Sequence, residues 1–226
     1  MTPAPRLAAP LRGVRALLLD FDGPVTVLMP PPLNADVAAA ARAPLTARGM
    51  SLPPELEATT DHLAVLRWTG RHERSALAAV EGAVVDAEEA AATTATLTTG
   101  ADELLAACSL AGVSVVVVTN NAASAADAFL RRHGLRDRVL AIMGRPAEHP
   151  ELMKPATYLV DAALDLVDVE ASAAALVGDS VSDVTVSHAA GVMAVGYAKH
   201  ARRGVELREA GADIIVTSMR DLTVSS

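Results

Sequence analysis

Residues 14–23 read VRALLLDFDG, and residues 113–121 read VSVVVVTNN. Each is an unbroken apolar run that stops at polar groups: Asp20, Asp22 and Gly23 after the first, Thr119 and Asn120 after the second. A strand with one wet face alternates, whereas a strand covered by helices on both faces reads as a continuous run of branched residues. The two runs therefore predict buried strands of a parallel sheet. Weaker strand patterns follow at 139–143, 174–177, 192–195 and 214–216. Helical patterns lie between them at 101–110, 122–133, 156–166, 181–190 and 205–210, two of them running up to Gly112 and Gly134 as helix-ending residues. Strand alternating with helix predicts a doubly wound α/β domain with a parallel sheet. Right-handed crossovers bring the polar strand ends to one edge, where ligands of such sheets bind.

One stretch departs from the alternation. Residues 25–99 contain no convincing buried strand; they open on Pro30-Pro31-Pro32 and continue as helical patterns at 35–42, 55–67 and 72–92, with a Thr-rich linker over 91–99. This is too long for one crossover and predicts a helical domain inserted after the first strand. The expected division is a core of residues 1–24 and 100–226 and an insertion of residues 25–99. Residues 1–12, with Pro3, Pro5 and Pro10, read as a disordered tail rather than a signal peptide.

Composition removes several function classes. The chain has 226 residues and a net charge of −8, which excludes the basic footprint of a nucleic-acid binder. Aromatic residues are 2% of the chain, too few for a base-stacking platform. Cys108 is alone, so neither a disulfide nor a Cys-rich zinc site is expected. No apolar run is long enough to span a membrane, and a cytoplasmic protein is the expectation. Lysine occurs only at 154 and 199 while arginine is plentiful, which reads as compositional bias.

The polar strand ends hold Asp20 and Asp22, Thr119 and Asn120, then Asp179, Ser180 and Asp183; Lys154 precedes a predicted helix. Each has a plain structural reading taken singly, as a turn, a helix cap or a solvated charge. Together, carboxylates gathered at one edge repel unless a cation joins them, and an all-oxygen donor set suits Mg²⁺. Donors such as the Thr119 hydroxyl, the Asn120 amide and the Lys154 ammonium around such a cation suit a phosphoryl group.

In this order the four segments resemble the motifs of the haloacid dehalogenase-like (HAD) superfamily, in its helical-cap group of phosphoglycolate phosphatases and beta-phosphoglucomutase-like proteins. LLLDFDG is similar to the first motif, VVVVTNN to the second, Lys154 to the third and ALVGDSVSD to the fourth, and the likeness extends over residues 14–216. It implies a Rossmann-like core, a cap formed by the insertion, and a Mg²⁺-dependent phosphatase acting on a small phosphorylated metabolite as a monomer or homodimer. It implies Asp20 as the nucleophile that forms an aspartyl-phosphate and Asp22 as general acid and base. Thr119, Asn120 and Lys154 are implied to bind the phosphoryl group. The metal is implied to lie on the Asp20 and Asp179 carboxylates and the Asp22 carbonyl, with Asp183 orienting that shell.

Pro24 stands where the superfamily usually has Thr, a departure that stiffens the hinge into the insertion. Asp22 argues against dehalogenase chemistry, and the lack of Lys in residues 24–99 argues against phosphonate cleavage through a Schiff base. A sugar-phosphate phosphomutase shares the four motifs and would need a cap arginine, Arg42 or Arg48, for a second phosphate. A non-catalytic binding homologue is the other alternative, although Asp20 and Asp22 are both retained. Arg67, Trp68, Arg71, His72 and Arg74 complete the polar and aromatic candidates of the insertion.

Overall fold

A computed structural model describes residues 4–225. Its main sheet has six parallel strands: β2 (Ala16–Leu19), β3 (Ser114–Val118), β4 (Ala141–Met143), β5 (Ala174–Gly178), β6 (Met193–Tyr197) and β7 (Ile214–Val216). Their spatial order is β4-β3-β2-β5-β6-β7. β2 is central, with Leu17 opposite Val115 on one side and Ala175 on the other. The chain leaves β2 toward β3 and β4, then returns to the opposite side for β5, so the crevice where the order reverses opens at the end of β2.

The unbroken apolar runs have the expected cause. Leu17, Leu19, Val115 and Val117 enter one hydrophobic cluster with Leu104, Leu105 and Phe129. Ala16, Leu18, Val116 and Val118 enter a second with Leu159, Val160 and Val186 on the other face. The first set of partners comes from α5 (Ala101–Ala111) and α6 (Ala123–Arg132); the second comes from α7 (Tyr158–Val167) and α8 (Val181–Ala189). α9 (Ala201–Glu209) closes the β7 side, with Leu207 packed against Val184, Ala194 and Ala198.

Between β2 and α5 lie α1 (Leu33–Thr46), α2 (Pro54–Ala58), α3 (His62–His72) and α4 (Leu77–Ala92). The predicted helix over 55–67 is split at Thr59–Asp61, where Asp61 caps α3 by accepting a hydrogen bond from Leu63 N at 2.9 Å. These helices have a hydrophobic cluster of their own, including Ala41, Leu45, Val65, Leu66, Leu77, Val80 and Val84. The Thr-rich return is not a loose linker. Thr26 and Leu97 form an antiparallel bridge, Thr98 N donates to Val25 O at 2.9 Å, and Thr98 Oγ1 donates to Gly23 O at 2.7 Å. The outgoing and returning chains are thus tied together beside the site.

The expected disordered tail over residues 1–12 does not hold where the structure describes it; residues 1–3 lie outside the described residues. β1 (Pro5–Leu7) pairs antiparallel with β8 (Thr223–Ser225), Ala8 N donates to Leu222 O at 2.9 Å, and Leu11 is 1% exposed in the main core. The other end of the chain supplies the backbone partners and the apolar contacts that this proline-interrupted stretch lacks locally. Among the described residues no helix is long and apolar enough to cross a membrane.

Candidate active site

Sheet geometry assembles the site. Asp20 follows β2 directly and extends its ladder, donating from N to Val177 O at 2.9 Å, while its Oδ1 accepts from Phe21 N at 2.8 Å. Thr119 follows β3 and Asp179 follows β5, the two strands flanking β2. Asp183 stands in the first turn of α8 within a capping box: Ser180 N and Oγ donate to Asp183 Oδ2 at 3.0 and 2.6 Å. Oxygens of Asp20, Asp179 and Asp183 lie within 4.8 Å of one another, and all three residues are buried. Gly178 gives Asp183 its room, because a Cβ there would overlap the Asp183 carboxylate.

Lys154 is 1% exposed and uses all three ammonium hydrogens. Its Nζ reaches Val118 O at 2.8 Å, Asp183 Oδ1 at 2.6 Å and Asp20 Oδ1 at 2.9 Å. Asn120 holds the same residue from behind: its side chain accepts from Lys154 N at 2.8 Å and donates to Lys154 O at 3.1 Å. The Asn120 amide thus fixes Lys154 rather than standing free for a ligand. The Thr119 hydroxyl donates to Asn121 Oδ1 at 3.1 Å and accepts from Asn121 N at 3.1 Å.

Burial, with Asp183 next in weight, pushes the Asp20 carboxyl up to about 8 against the pull of Lys154. Burial alone would discharge Lys154, but Asp183 and Asp20 outweigh it and hold the ammonium charged. Burial also raises Asp179, against the opposing pull of Lys199, whose Nζ lies 2.6 Å from Asp179 Oδ2. Asp22 is half-buried; its Oδ1 accepts from Leu28 N at 2.9 Å, and burial again raises the carboxyl.

In this cluster the carboxylates of Asp20, Asp22, Asp179 and Asp183 face the ammonium groups of Lys154 and Lys199. The carboxyl groups outnumber the ammonium groups and every donor is a hard oxygen, so the residues present fit a divalent cation such as Mg²⁺. Asp183, its oxygens engaged by Lys154 and Ser180, is placed to support rather than to lead.

The cluster opens into a cavity of about 460 Å³. The helical segment lines it with Asn34, Thr60, Asp61, His62 and Arg67 among others, and α9 contributes Arg203. Of the insertion's candidates only Arg67 reaches this cavity, with Nη2 3.1 Å from Lys154 O. Arg42 is bound to Thr59 O at 2.8 Å, Arg48 to Ser75 Oγ at 3.4 Å, and Arg74 to Glu148 O at 3.4 Å. Arg71 donates to Arg67 O at 3.2 Å, and Trp68 stacks on His72 with ring centroids 4.8 Å apart. The phosphomutase reading therefore loses the two arginines it named.

Sequence reasoning missed Lys199, and with it Glu88, Arg145, Asn121 and His62, which form a buried ionic group behind Thr119. The signal for Lys199 was its rarity: both lysines of the chain end on carboxylates of this cluster.

Comparison with known proteins gives the family and the fold. The family model for haloacid dehalogenase-like hydrolases matches residues 14–191. A phosphoglycolate phosphatase of Rhodospirillum rubrum is 36% identical over 104 residues, which is 44% of this chain and 42% of that protein; the match thus spans less than half of either. Two solved structures share the fold. One, from Clostridium acetobutylicum and described as a predicted phosphatase, has a TM-score of 0.70 at 19% identity, covering 92% of this chain and 96% of that one. The other, CbbY from Rhodobacter sphaeroides in complex with xylulose-(1,5)bisphosphate, has a TM-score of 0.68 at 22% identity with the same coverage.

Proposed function

The chain belongs to the haloacid dehalogenase-like hydrolase family, and from that premise we propose that it is a Mg²⁺-dependent phosphomonoester hydrolase working through an aspartyl-phosphate. The observation that carries this reading is the convergence of Asp20, Asp179 and Asp183 within 4.8 Å, with Lys154 bridging Asp20 and Asp183.

An oxygen of Asp20 attacks phosphorus, and the bond from phosphorus to the ester oxygen breaks. Asp22, whose carboxyl burial raises, serves as general acid and gives a proton to the departing oxygen. In the second step Asp22 takes a proton from water as the water oxygen attacks phosphorus, and the bond to Asp20 breaks to free inorganic phosphate. The Thr119 hydroxyl exchanges its bond to Asn121 for one to a phosphoryl oxygen. Asn120, its side chain engaged with Lys154, serves through its backbone N–H. Lys154 holds the Asp20 carboxylate in line and offsets its charge. Mg²⁺ held by Asp20, Asp179 and the Asp22 carbonyl, with Asp183 behind them, would neutralise the nucleophile and the phosphate as they approach.

The helices Leu33–Ala92 act as the cap over this site, and the cavity beneath them suits a small phosphorylated metabolite. A phosphoglycolate-like or sugar-phosphate substrate fits the polar lining of Asn34, His62, Arg67 and Arg203 and the substrate in the name of the R. rubrum relative. The test is phosphate release from p-nitrophenyl phosphate, with Mg²⁺ and with EDTA, beside Asp20→Asn, followed by a panel of small phosphomonoesters. Turnover that needs Mg²⁺ and is lost in the variant supports the reading; silence across the panel, with Mg²⁺ bound, overturns it.

A further inference from the structure

Glu88 is a carboxylate with no exposed surface, on α4 and outside every motif. Its Oε1 accepts from His62 Nε2 at 3.1 Å, Asn121 Nδ2 at 2.9 Å and Arg145 Nη1 at 3.1 Å. Its Oε2 accepts from Ala122 N at 2.8 Å and Arg145 Nη2 at 3.2 Å. Arg145, itself buried, donates to Glu81 Oε1 and to Asn120 O, both at 2.7 Å. One side chain of the helical insertion therefore holds the loop that follows β3, the N-cap residue of α6 and a wall residue of the cavity, His62.

The connection reaches the proposed phosphoryl site in two bonds. Glu88 holds Asn121 by its amide nitrogen, and the other end of that amide, Oδ1, accepts from the Thr119 hydroxyl at 3.1 Å. Asn121 N also donates to Thr119 Oγ1 at 3.1 Å, a bond that stays when the hydroxyl hydrogen turns from Asn121 Oδ1 to a phosphoryl oxygen, so the residue that Glu88 grips fixes where Thr119 Oγ1 stands.

We propose that Glu88 is a positioning residue: by gripping Asn121 it sets the Thr119 hydroxyl for the phosphoryl group and makes that setting depend on the docking of α4. The proposal rests on the phosphatase reading. It differs from a plain brace between the two parts, because Glu81 also braces α4 through Arg145 but does not touch Asn121.

Glu88→Gln tests it. The two side chains have nearly the same shape, but an amide accepts at one end only and turns its NH₂ toward donors at the other. Misaligning the hydroxyl should lower kcat roughly 10- to 100-fold, with little change in KM. Glu81→Gln, which loosens the brace alone, should keep the wild-type kcat. Glu88→Gln combined with Asn121→Ala should fall no further than Asn121→Ala alone, since both act along one path.

Amide exchange supplies a readout that needs no turnover: Glu88→Ala, which removes both acceptor oxygens, should speed exchange at Ala122 N. Unchanged kcat in Glu88→Gln, equal losses in the Glu81 and Glu88 variants, or losses that multiply in the double variant would each overturn the proposal. Unchanged exchange at Ala122 would overturn it as well. Should the wild type hydrolyse no ester, the phosphatase reading falls by that result, and the exchange data still decide whether Glu88 holds this loop.

Discussion

Lys199 Nζ lies 2.6 Å from Asp179 Oδ2, so a side chain from the loop after β6 already places a positive charge on a proposed metal ligand. A metal ion and Lys199 compete for the same carboxylate. Lys199→Ala should therefore tighten Mg²⁺ binding several-fold by titration calorimetry and lower the melting temperature of the metal-free protein. Weaker Mg²⁺ binding in the variant would show that Lys199 supports the metal instead.

Lys154 gives the opposite expectation. It is the shared counter-charge of Asp20 and Asp183, and both lose it in Lys154→Met. Breaking a buried charge pair on one side costs about 3–5 kcal/mol, read as a lower urea midpoint. Excess Mg²⁺ should recover part of that loss by taking over the role of counter-charge. A variant as stable as wild type without metal would contradict this account of the cluster.

Gly23 has φ +126, and a Cβ built there stands 2.6 Å from Asp179 Cγ. Alanine meets both backbone strain and the carboxylate, so Gly23→Ala should destabilise the protein by about 1–3 kcal/mol and displace Asp179. The distinguishing result is a weaker Mg²⁺ affinity in a variant that still folds; unchanged affinity would mean Asp179 does not depend on this glycine.

Glu88 links stability to pH. Burial raises its carboxyl, but bonds from His62 and Arg145 outweigh burial and bring it from the usual 4.5 down to about 2. A carboxyl lowered in the folded state stabilises fully above its unfolded value, and the gain fades as pH falls toward the folded value. The contribution is of order 3 kcal/mol. The stability gap between wild type and Glu88→Gln, measured by urea unfolding, should narrow between about pH 6 and about pH 3. A gap that stays constant would mean Glu88 is not held charged.

What could be read from the sequence is what the sheet dictates. Asp20, Thr119 and Asp179 each follow an apolar run, and parallel strands deliver their ends to one edge whatever the chain does between them. Asp183 comes a turn after the end of β5, so the same argument reaches it, whereas Lys154 follows no strand directly and is reached through the resemblance of its segment to the third motif. Glu88 was out of reach because nothing local marks it: its partners lie 26, 33 and 57 residues away, on elements whose approach is tertiary. Asn120 was assigned a ligand-facing amide because its bond to the Lys154 backbone, 34 residues on, is invisible without the fold. Lys199 was visible as a rarity but read as composition. The pairing of β1 with β8 joins the two ends of the chain, and a short stretch with prolines at 5 and 10 carries no sign of a partner so distant.

The measurement that bears most directly on the central claim is chemical trapping of the phosphoryl group on Asp20. Asp22→Asn is the variant to use: p-nitrophenolate leaves without needing a proton, while the water step loses its base, so the covalent intermediate should accumulate. Acid quenching during turnover with p-nitrophenyl phosphate and Mg²⁺, borohydride reduction and peptide mass spectrometry should then find homoserine at position 20, and none when EDTA replaces Mg²⁺. Phosphate release by the wild type without modification at Asp20 in the trapped variant, or with modification at another residue, would contradict the account.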